Sequence, residues 1–227
     1  MAHLKTLNAP KLWPVERKKT KFVAKSSPGP HPLNRGITLS LLLREILNYA
    51  KTTREIKKII NAKQIIIDKV PRKDHKFPVG IMDLIEIPKL NKSYRLIVNN
   101  KKKFVVNEVN GENSNLKPLK IIGKTTLKNN KTQLNLFDGR NIIVEKDSYK
   151  VGDTIIYNFA KNKIESYLKL GKKARVYIMD GKYQGRIGEV EDIKKEVKND
   201  RIVIKDKDGK FETLKKYTFV IDENVIS

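Results

Sequence analysis

The apolar residues of this chain occur in short runs, and this pattern restricts the available folds more than any other feature. None of the runs in the 227 residues is longer than a handful, whereas a membrane-spanning helix needs about 20 consecutive apolar residues. Many runs are bounded by Asn, Asp or Gly, which favour turns. We therefore predict a protein built from small modules rich in short strands, with no membrane contact.

The charge of the chain indicates what it binds. Lys and Arg number 49 against 25 Asp and Glu, which gives a formal net charge of +24. An excess of this size points to a polyanionic partner, of which nucleic acid is the commonest.

The residue types that are rare or absent exclude several kinds of site. There is no cysteine, and the three histidines are far apart in the sequence. Thiolate zinc sites, cysteine nucleophiles and disulfides are therefore excluded, and a histidine-based metal site is not expected. We predict no cofactor, metal, catalytic residue or small-molecule substrate. The first residues lack the apolar stretch of a secretory signal, so we expect a cytoplasmic location.

Residues 1–36 are predicted to form a basic N-terminal arm. The first 35 hold eight basic side chains, one acidic side chain and five prolines. Proline interrupts helices and sheets, and like charges oppose compaction. We expect the arm to have no core of its own, so that its removal leaves the rest folded. Trp13, between Pro10 and Pro14, is expected either to enter an RNA or protein pocket or to pack against the first domain.

Two helices followed by a small hairpin are predicted in residues 37–90. Between Leu39 and Leu47, Leu and Ile recur at spacings of three and four, which is typical of a helix with one buried face. A second helix begins after Thr52, because Thr52 and Glu55 have the spacing of a capping box. Its exposed side is predicted to carry Arg54, Lys57, Lys58 and Lys63.

Residues 91–168 are predicted to be all β. Short apolar strands alternate with turn residues at regular intervals, a pattern typical of a small barrel or sandwich. Asp138-Gly139 is a strong hairpin-turn dipeptide. Asn129-Asn130 indicates another turn, because Asn tolerates positive φ better than most residues.

The sharpest local pattern lies in residues 171–190, where a strand leads into a glycine-rich turn and a second strand begins near Arg186. Gly181, Gly185 and Gly188 permit the tight backbone that such a bend demands. This spacing, G-x-x-x-G-x-x-G, differs from the G-x-G-x-x-G of dinucleotide-binding turns, and no helix pattern follows it. It resembles instead the KOW motif, a small β-barrel element found in ribosomal proteins and transcription factors. Residues 169–227 are therefore predicted to form a β-barrel with a C-terminal tail.

The segment 37–90 resembles the S-four RNA-binding module, in which an Arg opens the second helix and a hydrophobic strand and a turn follow. Arg54 and Asp68 occupy such places in this chain. Lys63 and Lys69 depart from the pattern, because many such modules have Gly at these two places.

Over essentially its whole length the chain resembles the S-four-e family of small-subunit ribosomal proteins. The strings that carry the resemblance include Leu7-Asn8-Ala9-Pro10-Lys11, Ser27-Pro28-Gly29-Pro30-His31, Pro78-Val79-Gly80-Ile81-Met82-Asp83 and Gln133-Leu134-Asn135-Leu136-Phe137-Asp138-Gly139-Arg140. The resemblance implies an α+β multi-module fold with a basic N-terminal arm, a small α/β S-four RNA-binding module, an all-β central domain and an SH3-like KOW β-barrel. It also implies a structural constituent of the small ribosomal subunit, with small-subunit ribosomal RNA and neighbouring ribosomal proteins as partners.

Basic and aromatic side chains are the expected RNA contacts, because Lys and Arg neutralise phosphates and aromatic rings stack on bases. The candidates in the arm are Lys5, Lys11, Trp13, Arg17, Lys18, Lys19, Lys21, Lys25 and Arg35. The candidates in the following segment are Arg44, Arg54, Lys57, Lys58, Lys63 and Lys69. The candidates further along the chain are Arg140, Lys172, Lys182, Tyr183 and Arg186.

Two other functions stay open at this point. S-four modules also occur in RNA-modifying enzymes, but the predicted modules leave too little room for a catalytic domain. The acidic residues Asp138, Asp147 and Asp153 lie at predicted turns, where such residues usually only form the turn. The KOW element also fits a transcription or ribosome-assembly factor that binds RNA transiently. A permanent constituent differs from such a factor because it is expected to bury its basic arm in RNA.

Overall fold

The computed structural model describes residues 3–109, 111–145, 147–196, 199–206 and 209–222. Contacts divide the chain into two compact units, Met1–Ser114 and Asn115–Ser227. Short strands dominate both units, and the α-helices of the described residues lie in the first. Within these ranges no helix combines the length and the apolar character needed to cross a lipid bilayer.

The first unit is a small helical segment with an antiparallel sheet. Its elements in chain order are β1 (Leu4–Lys5), β2 (Phe22–Val23), β3 (Gly36–Thr38), α1 (Leu39–Leu41), α2 (Thr53–Asn61), β4 (Ile66–Ile67), β5 (Val70–Pro71), β6 (Pro78–Gly80), β7 (Leu84–Ile87), β8 (Lys92–Val98) and β9 (Phe104–Glu108). The sheet has the strand order β5-β4-β7-β8-β9, while β1 pairs with β2 and β3 pairs with β6.

The two helices begin where the sequence predicts. Helix α1 continues as a π-helical turn over Leu42–Ile46, and the chain then leaves the helical path at Asn48, where φ is 55°. Helix α2 has the predicted capping box, because Thr52 Oγ1 accepts from the Glu55 N–H at 3.3 Å and the Glu55 carboxylate accepts from the Thr52 N–H at 3.3 Å. Ile56, on the inner face of α2, is fully buried.

Strands β8 and β9 complete the sheet of the first unit, although their residues were predicted to belong to a central domain. Strand β8 pairs with β7 in a register that sets Leu84 opposite Arg95, and Leu96 and Val98 are buried. If the sheet ended at β7, the backbone groups on one side of that strand would be unpaired, and β8 provides their hydrogen-bond partners. The first unit therefore extends to Ser114, beyond the predicted boundary after residue 90.

The basic arm packs into the core of the first unit. Trp13 is fully buried, and its indole N–H donates to the carbonyl of Gly36 at 2.8 Å. The backbone N–H of Phe104 donates to the carbonyl of Leu12 at 3.0 Å. Ordered apolar burial and backbone hydrogen bonds outweigh the repulsion between cations, because the lysines of the arm lie on the solvent side.

The Pro-Gly-Pro-His segment of the arm packs closely on β6. A Cβ atom on Gly80 would lie 2.3 Å from the His31 ring, and one on Gly29 would lie 2.6 Å from Pro78 Cγ. His31 Nε2 lies 3.1 Å from Asp83 Oδ1, and both side chains are buried. Glycine is therefore required at these two positions by the close approach of the arm to the strand.

The second unit consists of two antiparallel sheets. Its strands are β10 (Leu116–Thr126), β11 (Thr132–Leu136), β12 (Asn141–Val144), β13 (Thr154–Asn158), β14 (Lys163–Leu168), β15 (Arg175–Ile178), β16 (Ile187–Lys194), β17 (Arg201–Asp206), β18 (Gly209–Leu214) and β19 (Thr218–Val220). The strand orders are β12-β11-β10-β13-β14 and β18-β17-β16-β15-β19. Each sheet covers its own cluster of buried apolar residues.

The turns of the second unit lie where the sequence predicts them. Asn129 and Asn130 have φ values of 61° and 53°, and Gly139 has a φ of 80°. In the glycine-rich turn after β15, Gly181 and Gly185 have φ values of 93° and 87°. These values lie in the left-handed region, which Gly and Asn enter at the lowest cost.

Two lysines of β10 are buried with polar partners. Lys117 Nζ lies 3.2 Å from Asp138 Oδ2. Lys120 Nζ donates to three backbone carbonyls within residues 215–218, at 3.0, 3.1 and 2.5 Å. A buried charge is tolerated only when it is paired or hydrogen-bonded, and these contacts meet that condition. Lys120 thereby links the two sheets of the unit.

Candidate nucleic-acid interface

Helix α2 presents three cations to solvent. Ile56 and Ile60 face the core, so the helical period leaves Arg54, Lys57 and Lys58 on the exposed side. In the described part of the chain none of these three cations has an ion-pair partner. Their charge is therefore available to an external anion.

Glu55, the acidic neighbour of this cluster, is engaged by the backbone. Its carboxylate accepts from the N–H groups of Lys51 and Thr52, at 2.9 and 3.3 Å. The hydrogen bond from the Lys51 backbone, followed by the contacts with Thr52, lowers the pKa of Glu55 below its ordinary value. The carboxylate is thus occupied at the helix start and does not neutralise Arg54.

A basic loop between β5 and β6 lies beside α2. The Ser40 N–H of α1 donates to the His75 carbonyl at 2.9 Å, and burial, and next the charge of Lys57 in α2, lower the pKa of His75 below its ordinary value. Lys73 is exposed and Lys76 is half-buried in the same loop. We use the name α2 basic surface for Arg54, Lys57, Lys58, Lys73 and Lys76.

The loop cations of this surface were not among the predicted RNA contacts. The signal that would have indicated them is the run Arg72-Lys73-Asp74-His75-Lys76, in which one acid stands among four groups that can be cationic. Arg72 itself stacks over the Phe77 ring, with its guanidinium carbon 4.3 Å from the ring centroid. Only the fold shows that the run approaches α2.

Lys63 and Lys69 occupy backbone positions that favour glycine. Their φ values are 53° and 64°, in the left-handed region that glycine enters at the lowest cost. Lys63 is exposed just after α2. The charge of Lys69 is balanced, because its Nζ lies 2.5 Å from Glu86 Oε1.

The predicted RNA contacts in the arm include exposed lysines and side chains that have a structural role. The exposed lysines are Lys5, Lys11, Lys18, Lys19, Lys21 and Lys25. Arg17 instead donates to four backbone carbonyls within residues 6–10, at 2.8 to 3.2 Å. Trp13 cannot stack on a base in this fold, because its ring is fully buried. Its prediction as an RNA contact is therefore corrected to a packing role.

Two further arginines of the first unit are partly covered. Arg35 is half-buried. Arg44 lies in the π-helical turn after α1, where its Nε lies 2.7 Å from Glu45 Oε1. The Glu45 carboxylate therefore balances part of the Arg44 charge.

In the second unit, three of the predicted cations face carboxylates. Arg140 lies 3.1 Å from Asp138, Lys172 lies 3.1 Å from Asp192, and Arg186 lies 3.7 Å from Asp206. The remaining two candidates are an aromatic ring and the lysine beside it. Tyr183 stacks on Phe211 at a centroid distance of 4.2 Å, and Lys182 Nζ lies 5.5 Å from the Tyr183 ring centroid. The helical cations Arg54, Lys57 and Lys58 differ from these three, because no described residue forms an ion pair with them.

Comparison with known proteins places this arrangement in a family. The family model described as Ribosomal family S4e matches residues 90–164, and the RS4NT (NUC023) domain model matches residues 2–34. The second match covers the arm that packs around Trp13.

Curated relatives match along nearly the whole chain. The small ribosomal subunit protein eS4 of Methanosphaera stadtmanae is 42% identical, over 99% of this chain and 95% of its own length. The protein of the same name from Methanothermobacter thermautotrophicus is 36% identical, with the same coverage of 99% and 95%.

A solved structure agrees with the fold. The crystal structure of the 30S ribosomal protein S4e from Thermoplasma acidophilum matches with a TM-score of 0.71 and 30% identity, over 82% of this chain and 95% of that one. Identity at this level along nearly the full length, together with the shared mainly β fold, shows that the protein belongs to the S4e family of ribosomal proteins.

Proposed function

We propose that this protein is a structural constituent of the small ribosomal subunit that binds ribosomal RNA through Lys and Arg contacts to phosphates. The observation that carries the proposal is the α2 basic surface, whose helical cations have no ion-pair partner among the described residues. The names of the relatives, small ribosomal subunit protein eS4, support the same role.

The two halves of the chain fit this role in different ways. We infer that α1, α2 and the sheet of the first unit form an S-four RNA-binding module, and that β15–β19 form an SH3-like KOW barrel. The exposed lysines of the arm extend the basic surface of the first unit. The proposed partners are small-subunit ribosomal RNA and neighbouring ribosomal proteins, in the cytoplasm. The proposed role is not enzymatic.

Salt dependence of RNA binding tests the proposal. Each phosphate neutralised by a cation releases counterions, so the logarithm of the affinity should fall linearly with the logarithm of salt concentration, with a slope of about −0.7 to −0.9 per contact. An affinity that does not change with salt would contradict it. Sedimentation of a lysate in high salt separates a permanent constituent from a transient factor, because only the former stays with small subunits.

A further inference from the structure

An apolar groove opens next to the α2 basic surface. It has a volume of about 1050 Å³, and its walls include Val23, Ala24, Pro28 and Pro30 of the arm, with Lys76 from the basic loop. Lys76 therefore belongs to both the groove and the surface. A ligand whose charged part lies on the surface can place an apolar part in the groove.

Contacts within the first unit hold the groove in shape. The Ser27 N–H donates to the Lys76 carbonyl at 2.9 Å, and Gly29 packs directly on Pro78. The prolines in the wall have a fixed φ, so little backbone entropy remains to be lost on binding. The groove is therefore largely preformed.

The charges around the groove are of one sign. Lys25 and Lys76 line it, and none of the described lining residues is acidic. Apolar walls and a cationic rim suit a ligand that joins a flat, weakly polar ring to an anion.

A nucleotide that is not base-paired has this chemistry. Its base offers an apolar face with polar edges, and its phosphate meets the lysines. A paired nucleotide is excluded from the groove, because its base is stacked within a helix. A volume of about 1050 Å³ exceeds what one nucleotide requires, as ligand sites of 300 to about 1,000 Å³ accept drug-sized molecules.

We propose that this groove binds an unpaired nucleotide that projects from the RNA whose phosphates lie on the α2 basic surface. The inference rests on the proposed function and adds a preference for RNA with an unpaired residue. Lys25 and Lys76 contact the phosphate of that nucleotide, and the walls of the arm cover its base.

Two synthetic RNA hairpins test the proposal, one with an uninterrupted stem and one with the same stem and a single bulged 2-aminopurine. The full-length protein is titrated into each at one fixed salt concentration, and binding is followed by fluorescence anisotropy. We expect the bulged hairpin to bind about tenfold more tightly, in the range that one sequestered base contributes. The 2-aminopurine emission should change as the base leaves solvent.

Substitutions at Ala24 fill the groove in two steps. Ala24→Leu should reduce the preference for the bulged hairpin and Ala24→Phe should abolish it, while affinity for the uninterrupted hairpin and the melting temperature stay unchanged. Ala160→Phe, at an exposed position of the second unit, is the matched control and should change neither affinity. If Ala24→Phe lowers the melting temperature, Ala24→Leu decides the question.

The outcomes separate this proposal from the function on which it rests. Equal binding of the two hairpins by the unaltered protein, or a full preference retained by both Ala24 variants, would overturn the groove assignment alone and favour a protein segment as its occupant. Failure to bind either hairpin would overturn the proposed function as well.

Discussion

The indole nitrogen of Trp13 lies 2.8 Å from the carbonyl oxygen of Gly36, a residue 23 positions further along the chain. This hydrogen bond joins the arm to the first residue of β3 in a site from which water is excluded. The chain contains one tryptophan, so its fluorescence reports directly on whether the arm is docked.

Removing the Trp13 side chain should destabilise the first unit. We expect Trp13→Ala to lower the free energy of unfolding by about 3–5 kcal/mol, the usual cost of truncating a buried large aromatic residue. Urea denaturation followed by circular dichroism measures the change. Leu7→Ala, at an arm position that is 71% exposed, is the control and should stay within about 0.5 kcal/mol of the unaltered protein. Equal stability of the two variants would show that the arm does not support the fold.

Arg54 should contribute to RNA binding and not to stability. Because it has no ion-pair partner among the described residues, Arg54→Ala should leave the melting temperature unchanged. RNA affinity should fall by about 1–3 kcal/mol, the range for a charge-assisted hydrogen bond. Arg201→Ala is the matched control, since Arg201 is exposed and its Nε lies 3.2 Å from Glu196 Oε1. Unchanged affinity in Arg54→Ala would remove α2 from the interface.

Glycine at the two left-handed lysine positions should have different effects. We expect Lys63→Gly to raise the free energy of unfolding by about 0.5–1 kcal/mol, because Gly adopts this backbone conformation without the cost that a Cβ atom carries. Lys69→Gly relieves the same strain but loses the contact with Glu86, so its net effect should be close to zero. Thermal melts of both variants compare them. A loss of stability in Lys63→Gly would contradict the assignment of strain.

The ionisation of His75 should make stability depend on pH. Its pKa is lowered from 6.5 by burial and then by Lys57, so the unfolded chain binds more protons than the folded protein below about pH 6.5. This contribution to stability is present above the unfolded pKa and is lost as the pH falls through the folded pKa. His75→Gln should remove that part of the acid sensitivity.

A direct measurement of the pKa of His75 tests the cause. Nuclear magnetic resonance titration of the imidazole should show a higher pKa in Lys57→Gln than in the unaltered protein, because one neighbouring positive charge is gone. Lys89→Gln, at an exposed site after β7, should leave the pKa as it was. An identical pKa in all three proteins would place the loop away from α2.

Lys120 should be a structural residue despite its charge. Replacement by Met keeps the length of the side chain but leaves three carbonyls of residues 215–218 without their donor. We expect Lys120→Met to cost about 3 kcal/mol in the free energy of unfolding, since buried polar groups lose their partner. Lys128→Met, at an exposed position, should be nearly neutral. Chemical denaturation compares the two variants.

The parts of the fold that depend on neighbours in sequence could be predicted from the sequence. The capping box at Thr52 and Glu55 involves residues three apart, and the turn at Asn129-Asn130 depends on the conformational range of Asn itself. The pairing of β7 with β8 could not be predicted in the same way, because a strand pattern does not identify its partner. The predicted boundary after residue 90 therefore fell inside a sheet.

The candidate site was predicted in part for the same reason. The helical period placed Arg54, Lys57 and Lys58 on one face without knowledge of the rest of the chain. The sequence did not decide between two roles for Trp13, because burial depends on contacts with Gly36 and with the β8–β9 hairpin. The basic loop at residues 72–76 was missed, since its approach to α2 is a tertiary contact.

The first sheet is complete only when β8 and β9 have been added, and this sets an order of folding events while the chain is being synthesised. Leu12 leaves the ribosomal exit tunnel long before Phe104, the residue to which its carbonyl is hydrogen-bonded. The arm around Leu12 therefore cannot complete its contacts until Phe104, close to the end of the same unit, has been synthesised. Once β9 has emerged, the unit can close before β10 is available, because domains generally fold as units during translation.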